Sequence, residues 1–178
     1  MSHEQIQDLK SDNPMRRIMI SKVVINIGVG KSGEPIEKAK HALQELTGQQ
    51  PSVRGARETV RDFGIHKGEP IGAMVTLRRQ QAIEFLKRII SAKGNVFKSS
   101  SFDNYGNISV GIREHIDIPG TKYNPEIGIF GMDVNLSLMR PGYRIAKKRD
   151  SRKIGKAHRI TKEEAIEFFQ QHYGVEIV

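Results

Sequence analysis

Polar and apolar positions alternate over Arg17–Ile27, and this period of two predicts a strand. Met19, Ser21, Val23, Ile25 and Ile27 fall on one face, and Ile18, Ile20, Lys22, Val24 and Asn26 on the other. After the glycine-rich turn Gly28–Gly33 the period changes. Ile36, Ala39, Leu43 and Leu46 recur at helical spacing behind Pro35, and Gly48 closes the helix. Pro51–Val60 reads as irregular with an extended piece, and Gly64–Pro70 as a loop of turn formers. Alternation resumes over Ile71–Arg78. A helix over 79–92 follows, with Ala82, Ile83, Leu86, Ile89 and Ile90 on its apolar side and Gly94 behind it. Asn95–Gly106 is polar enough to read as a long loop. Asn107–Ile118 and Gly131–Met139 read as strands, the first stopped by Pro119. Thr161 and Glu164 stand at capping-box spacing before a last helix, whose buried side is Ala165, Ile166, Phe168, Phe169 and Tyr173. Ser2–Lys10 reads as a short helix broken at Asn13-Pro14, so residues 1–14 form an N-terminal extension.

Two strand–helix units followed by two strands and a helix predict an α+β fold. The sheet is mixed or largely antiparallel, with helices packed on one face. Its open face displays Lys22, Asn26, Thr76, Arg78, Asn135 and Ser137. No linker or repeat divides residues 1–178, which read as a single domain.

Charge sharpens this picture. The 178 residues carry a net charge of +9, but its distribution is uneven. Residues 140–162 hold ten basic side chains and one acidic one, whereas 1–139 are +4 and 163–178 are −4. Nine uncompensated charges in 23 residues repel one another unless a polyanion lies among them. The stretch has no apolar face to insert into a membrane, so nucleic acid is the better partner. Arg54, Arg57 and Arg61, spaced by small residues, point the same way.

Several kinds of chemistry are excluded. There is no cysteine, hence no disulfide scaffold, thiolate site or cysteine nucleophile. The six histidines are dispersed and make no metal-ligand spacing. No serine sits in a nucleophile elbow. Gly28-Val-Gly30-Lys-Ser-Gly33 matches a dinucleotide fingerprint, but residues 46–53 lack the acidic partner expected about 20 positions on. Glu34 and Glu37 would also repel a pyrophosphate. The turn instead offers backbone N–H groups and Lys31 to an RNA phosphate. Neither an enzyme nor a cofactor is expected. A dinucleotide-dependent enzyme and a free-standing RNA chaperone are the competing classes.

Seven collinear segments carry a resemblance. They are Lys22-Val-Val-Ile-Asn-Ile-Gly-Val-Gly30, Leu46-Thr-Gly-Gln-Gln-Pro51, Pro70-Ile-Gly-Ala-Met-Val-Thr-Leu-Arg78, Ser101-Phe-Asp-Asn-Tyr-Gly-Asn107 with Gly111-Ile-Arg-Glu-His115, Gly131-Met-Asp133, Arg140-Pro-Gly-Tyr-Arg-Ile-Ala-Lys147 and Lys156-Ala-His-Arg-Ile-Thr-Lys-Glu-Glu164. Together they resemble the universal large-subunit ribosomal protein of the L-five family, which binds 5S rRNA; the last two follow its archaeal and eukaryotic branch. Ser52 and Gly55 depart from the family pattern. The resemblance implies a place on the cytoplasmic ribosome, in the central protuberance of the large subunit. There the protein would bind 5S rRNA, touch large-subunit rRNA, lie near the P-site tRNA and meet neighbouring ribosomal proteins, including a bridge protein of the small subunit. It maps the 5S-binding surface onto Asn26, Gln49 and Thr76, and a tRNA-proximal loop onto 62–72 with His66 and Lys67. With these, the candidate RNA-binding residues are Lys22, Lys31, Arg54, Arg57, Arg61, Arg78, Arg140, Tyr143, Arg144, Lys147, Lys148, Arg149, Arg152 and Lys153.

Overall fold

A computed structural model describes residues 13–121 and 123–178. The expected helix at 2–10 lies outside them. A five-stranded sheet is built from β1 (Met19–Gly28), β2 (Ser52–Gly55), β3 (Pro70–Leu77), β5 (Ile108–Ile112) and β6 (Met132–Met139). Its order is β2-β3-β1-β6-β5, and every neighbouring pair is antiparallel. β4 (Val96–Phe97) and β7 (Glu176–Ile177) form a separate parallel pair. Three α-helices lie among the described residues: α1 (Glu34–Thr47), α2 (Arg79–Ala92) and α3 (Lys162–Tyr173).

One face of the sheet is the core. Val23, Ile25, Ile27, Ala73, Val75, Leu77, Val134 and Leu136 are buried there against Ala39, Leu43 and Leu46 of α1 and Phe85, Leu86 and Ile89 of α2. These two helices present their apolar stripes to the sheet and their charges to water, which removes apolar area from water on both layers at once. Gly48 closes α1 in the left-handed conformation, and a complete capping box opens α3.

Four expectations are corrected. First, the simple alternation of β1 fails at its start. The register shifts between Ile20 and Lys22, so that Ile20 pairs with Leu138 and Lys22 with Ser137. This bulge turns Ile20 to the core side, whereas strict alternation put it with Lys22. Second, the strand after Asn107 ends at Ile112, and His115–Asp117 is a 3-10 turn with His115 buried. The Phe130 N–H donates to its Nδ1 at 3.3 Å. Third, 95–106 is more than a loop: it contains β4 and buries Phe97 and Phe102. A two-residue strand gives no periodicity to read. Fourth, Phe85 rather than Ile83 is the fully buried member of its turn in α2.

Candidate nucleic-acid interface

The face away from the helices is polar. Cross-strand partners share a face, so the register fixes its membership. Lys22, Val24 and Asn26 of β1 lie between Thr76 and Met74 of β3 and Ser137, Asn135 and Asp133 of β6. Ser52 and Arg54 extend it on the β2 side, and Ser109 on the β5 side. Lys22, Asn26 and Thr76 are half-buried. Hydrogen bonds link side chains along it: Ser109 Oγ donates to Asn135 Oδ1 at 2.8 Å and Ser137 Oγ to Asn107 Oδ1 at 2.9 Å. These ladders hold amide and hydroxyl groups in fixed directions, as a hydrogen-bonding surface requires. The ten residues of β1 make the face roughly 30 Å long.

The segment after β6 folds back over one end of this face. Tyr143–Lys147 and Lys156–His158 are 3-10 turns, and the Arg152 N–H donates to the Ile145 carbonyl at 3.1 Å across the loop. Between loop and sheet lies a cavity of about 890 Å³. Arg144, Lys147, Arg152, Lys153 and Arg159 line it from the loop, Arg78 from the start of α2, and Ser21, Asn107 and Ser137 from the sheet. A second groove of about 440 Å³ continues along Lys22, Ser109 and Asn135 and shares Asn107 and Ser137 with the first. Lys148 and Arg149 are exposed outside both. Among the described residues, the carboxylates that form ion pairs are Glu34, Glu37 and Glu164, and none pairs with a cation of the cavity.

Arg140 differs from the other basic residues of this segment. It is 3% exposed, and its donors face protein acceptors. Nε donates to the Arg16 carbonyl at 3.0 Å, and Nη1 to the carbonyls of His158 and Arg159 at 3.3 and 3.2 Å. Nη2 meets Glu164 Oε1 at 2.8 Å. The expected RNA contact of Arg140 is therefore replaced by a structural one: its planar fork ties both ends of the loop to α3. Tyr143 is also half committed. Its hydroxyl donates to the His158 carbonyl and accepts from the Ile160 N–H at 2.9 Å. Its ring packs edge-on against His158.

Burial pushes the Glu164 carboxyl up. The hydrogen bonds from Arg140 and the Thr161 N–H, with the charges of Arg140 and Arg16, outweigh this and hold it below its ordinary 4.5. A depressed carboxylate stabilises the fold above its unfolded value, and that contribution is lost as pH falls through the lower folded value. Denaturation followed downward from pH 5 should therefore show a loss of stability that is smaller in Glu164→Gln. Equal pH dependence in the two proteins would refute the role of this carboxylate.

Most of the remaining candidates lie towards the opposite end of the sheet. There β2 and β3 continue as a hairpin, with Val60 and Ile65 bridged at 2.9 and 3.1 Å. Arg57, Arg61, His66 and Lys67 are exposed on it, and Phe63 is 77% exposed at its tip. Glu69 accepts the His66 N–H and the Ser32 hydroxyl, at 2.9 and 2.7 Å. Lys31 is exposed in the adjoining turn. Two of the turn's backbone donors are taken up within the fold, because the Val29 and Gly30 N–H groups both donate to the Ile71 carbonyl, at 2.9 and 3.0 Å. The dinucleotide reading fails: β1 has only antiparallel neighbours, so no parallel βαβ unit surrounds the turn. Gln49 is half-buried, and its amide donates to the Gln81 side chain on α2. Among the described residues no group of three or more His, Asp or Glu could hold a metal, and no helix is long and apolar enough to cross a membrane.

The described residues form an α+β fold whose polar sheet face is bordered by cations that no described carboxylate pairs with. Comparison with known proteins makes this specific. The pattern of the family described as ribosomal protein L5 matches residues 13–66, and the pattern described as the C-terminus of that ribosomal family matches residues 70–168. The chain is 54% identical over 174 residues to the large ribosomal subunit protein uL5 of Sulfolobus acidocaldarius, covering 97% of this chain and 98% of that one. It is 55% identical to the protein of that name from Pyrobaculum aerophilum, covering 95% of each. To that of Nitrosopumilus maritimus it is 49% identical, covering 94% and 97%. The chain belongs to the uL5 family of large-subunit ribosomal proteins, a non-enzymatic family that works in translation.

The sequence shows the cations, Arg159 among the ten basic side chains of 140–162, and the polar strand faces, but does not single out Tyr105, Ser21 or Ser109. Ser21 lines the cavity through the bulge, which leaves no sequence signal. Tyr105 had one, the turn sequence Asp103-Asn-Tyr-Gly106 around an aromatic residue.

Proposed function

We propose that this protein binds 5S rRNA through its open sheet face and fastens it to the large-subunit rRNA in the central protuberance. The observation that carries this is the face itself: half-buried, neutral Asn26 and Thr76 at its centre, and over one end a cluster of cations that no carboxylate among the described residues pairs with. Fixed amide and hydroxyl groups suit base edges and 2′-hydroxyls of irregular RNA, whereas Lys and Arg suit phosphates, which position the RNA without identifying it. Asn26 and Thr76 are diagonal neighbours across β1 and β3, since Val24 pairs with Thr76 and Asn26 with Met74. Lys22, Arg54 and Arg78 border them, and Gln49 lies on the approach to β2. The hairpin bearing Arg57, Arg61, His66 and Lys67 projects beyond the sheet, as a segment reaching towards P-site tRNA must. Contact with neighbouring ribosomal proteins, including a small-subunit bridge protein, belongs to the same reading.

Salt-dependent binding of 5S rRNA separates these roles. Neutralising Lys147, Lys148 and Arg149 should lower the log–log salt slope by up to about 2, at roughly 0.7 per single-strand phosphate, without changing which RNA is preferred. Asn26→Ala and Thr76→Ala should weaken 5S binding with the slope preserved. An unchanged slope removes the loop from the interface, and wild-type affinity in both single mutants removes the sheet face. Co-sedimentation with the large subunit at moderate salt then distinguishes a subunit component from a free RNA chaperone.

A further inference from the structure

We propose that the cavity between the basic loop and the sheet receives one unpaired RNA nucleotide, whose base stacks on Tyr105. This inference rests on the reading of this face as an RNA-binding surface and names a subsite within it.

Tyr105 lines the cavity and is 62% exposed, although its surroundings are rigidly built. Asp103 Oδ1 accepts the N–H groups of Tyr105 and Asn107 at 2.8 and 2.7 Å, and Oδ2 accepts the Asn107 side-chain amide at 2.7 Å. The next residue, Gly106, is buried with φ +75°, and a Cβ there would lie 2.6 Å from Ile160 Cγ2. Glycine therefore lets this turn pack directly on the residue where the basic loop rejoins α3. The close approach fixes an aromatic ring beside the cations. Phe102, on the other side of the turn, is buried against Phe169. An exposed aromatic side chain held on so rigid a support contributes little to folding; its ring is free to meet a ligand.

The cavity walls supply what else a nucleotide needs. Arg144, Lys147 and Arg152 all line it with no carboxylate paired to them among the described residues, so a phosphate would be held there. Asn107 and Ser137 stand opposite on the sheet; their side chains bond each other and Asn107 also donates to Asp103, which leaves the second Asn107 N–H and the Ser137 hydroxyl oxygen for a base edge. The volume is that of a small-ligand site, which a stacked helix cannot enter but a single extruded nucleotide can. Cations alone would accept any polyanion; a ring beside them adds affinity for a base as such.

Two short single-stranded RNAs of one length test this: one carries a central 2-aminopurine, the other an abasic site at the same position. The wild-type protein should bind the base-bearing strand several-fold more tightly at low salt and quench its fluorescence. Tyr105→Phe should keep both effects. Tyr105→Ala should abolish the difference between the strands while keeping the salt slope, because no charge is removed. Equal binding of the two strands by the wild-type protein, or a base preference that survives in Tyr105→Ala, overturns the subsite. If 5S rRNA still binds normally in that case, the wider RNA-binding reading stands without it. If the wild-type protein binds neither strand nor 5S rRNA, both fall.

Discussion

Arg140→Met should unfold at a markedly lower temperature than the wild-type protein and lose the fixed path of its basic loop. Methionine keeps much of the side-chain volume but leaves the carbonyls of Arg16, His158 and Arg159, and the Glu164 carboxylate, without their donor. Removing one partner of a buried pair costs about 3–5 kcal/mol. Glu164 remains partly exposed and keeps Arg16 at 3.6 Å, which argues for the lower end, about 3 kcal/mol. For a chain of this size that is roughly 6–12 °C in Tm. Arg140→Lys should recover only part of the loss, since an ammonium cannot span four acceptors in one plane. Calorimetry gives the Tm, and tryptic cleavage after Arg144, Lys147 or Lys148, well below Tm, reports the loop. Wild-type protease resistance in Arg140→Met would show that the loop holds its path without the clamp.

Phe169→Ala carries the other large effect. Its side chain has no exposure and is ringed by Phe97, Phe102, Phe168 and Tyr173, with centroids between 5.4 and 6.3 Å. These neighbours come from β4, the turn before Tyr105 and α3 itself, so the cavity left by truncation cannot close without moving three separate segments. The expected loss is about 3–5 kcal/mol, a large share of the roughly 5–15 kcal/mol that keeps a domain folded. Phe169→Leu, which retains most of the volume, should lose clearly less. A loss below about 1.5 kcal/mol for the alanine variant would show that the cluster collapses readily and anchors nothing.

Much of this architecture could be read in the sequence because its signals are local. The alternation of β3 and β6, the stripe of α1 and the capping box of α3 each depend on a few consecutive residues. The open face could be read for the same reason: Asn26, Thr76 and Asn135 are the polar half of strands whose other half is buried. What stayed hidden depends on distant partners. The bulge in β1 is a property of its pairing with β6, and the short β4 exists only because β7 lies beside it. Charge counting placed Arg140 with the RNA-facing residues because sequence shows that a side chain is cationic, not that Glu164 and three carbonyls surround it. Tyr105 could not be assigned from one turn, since the cavity it borders is closed by residues some forty positions later.

The separation of cations from the polar centre of the sheet has a kinetic consequence. Charges act over a Debye length, about 8 Å at physiological ionic strength, and so speed the encounter and orient it before contact. Hydrogen-bonding groups on the sheet face act only after docking and set how long the partner stays. Arrival would then respond to salt and departure to substitution at Asn26 or Thr76. During assembly of a large ribonucleoprotein, such a protein can sample many RNA surfaces quickly and linger on few.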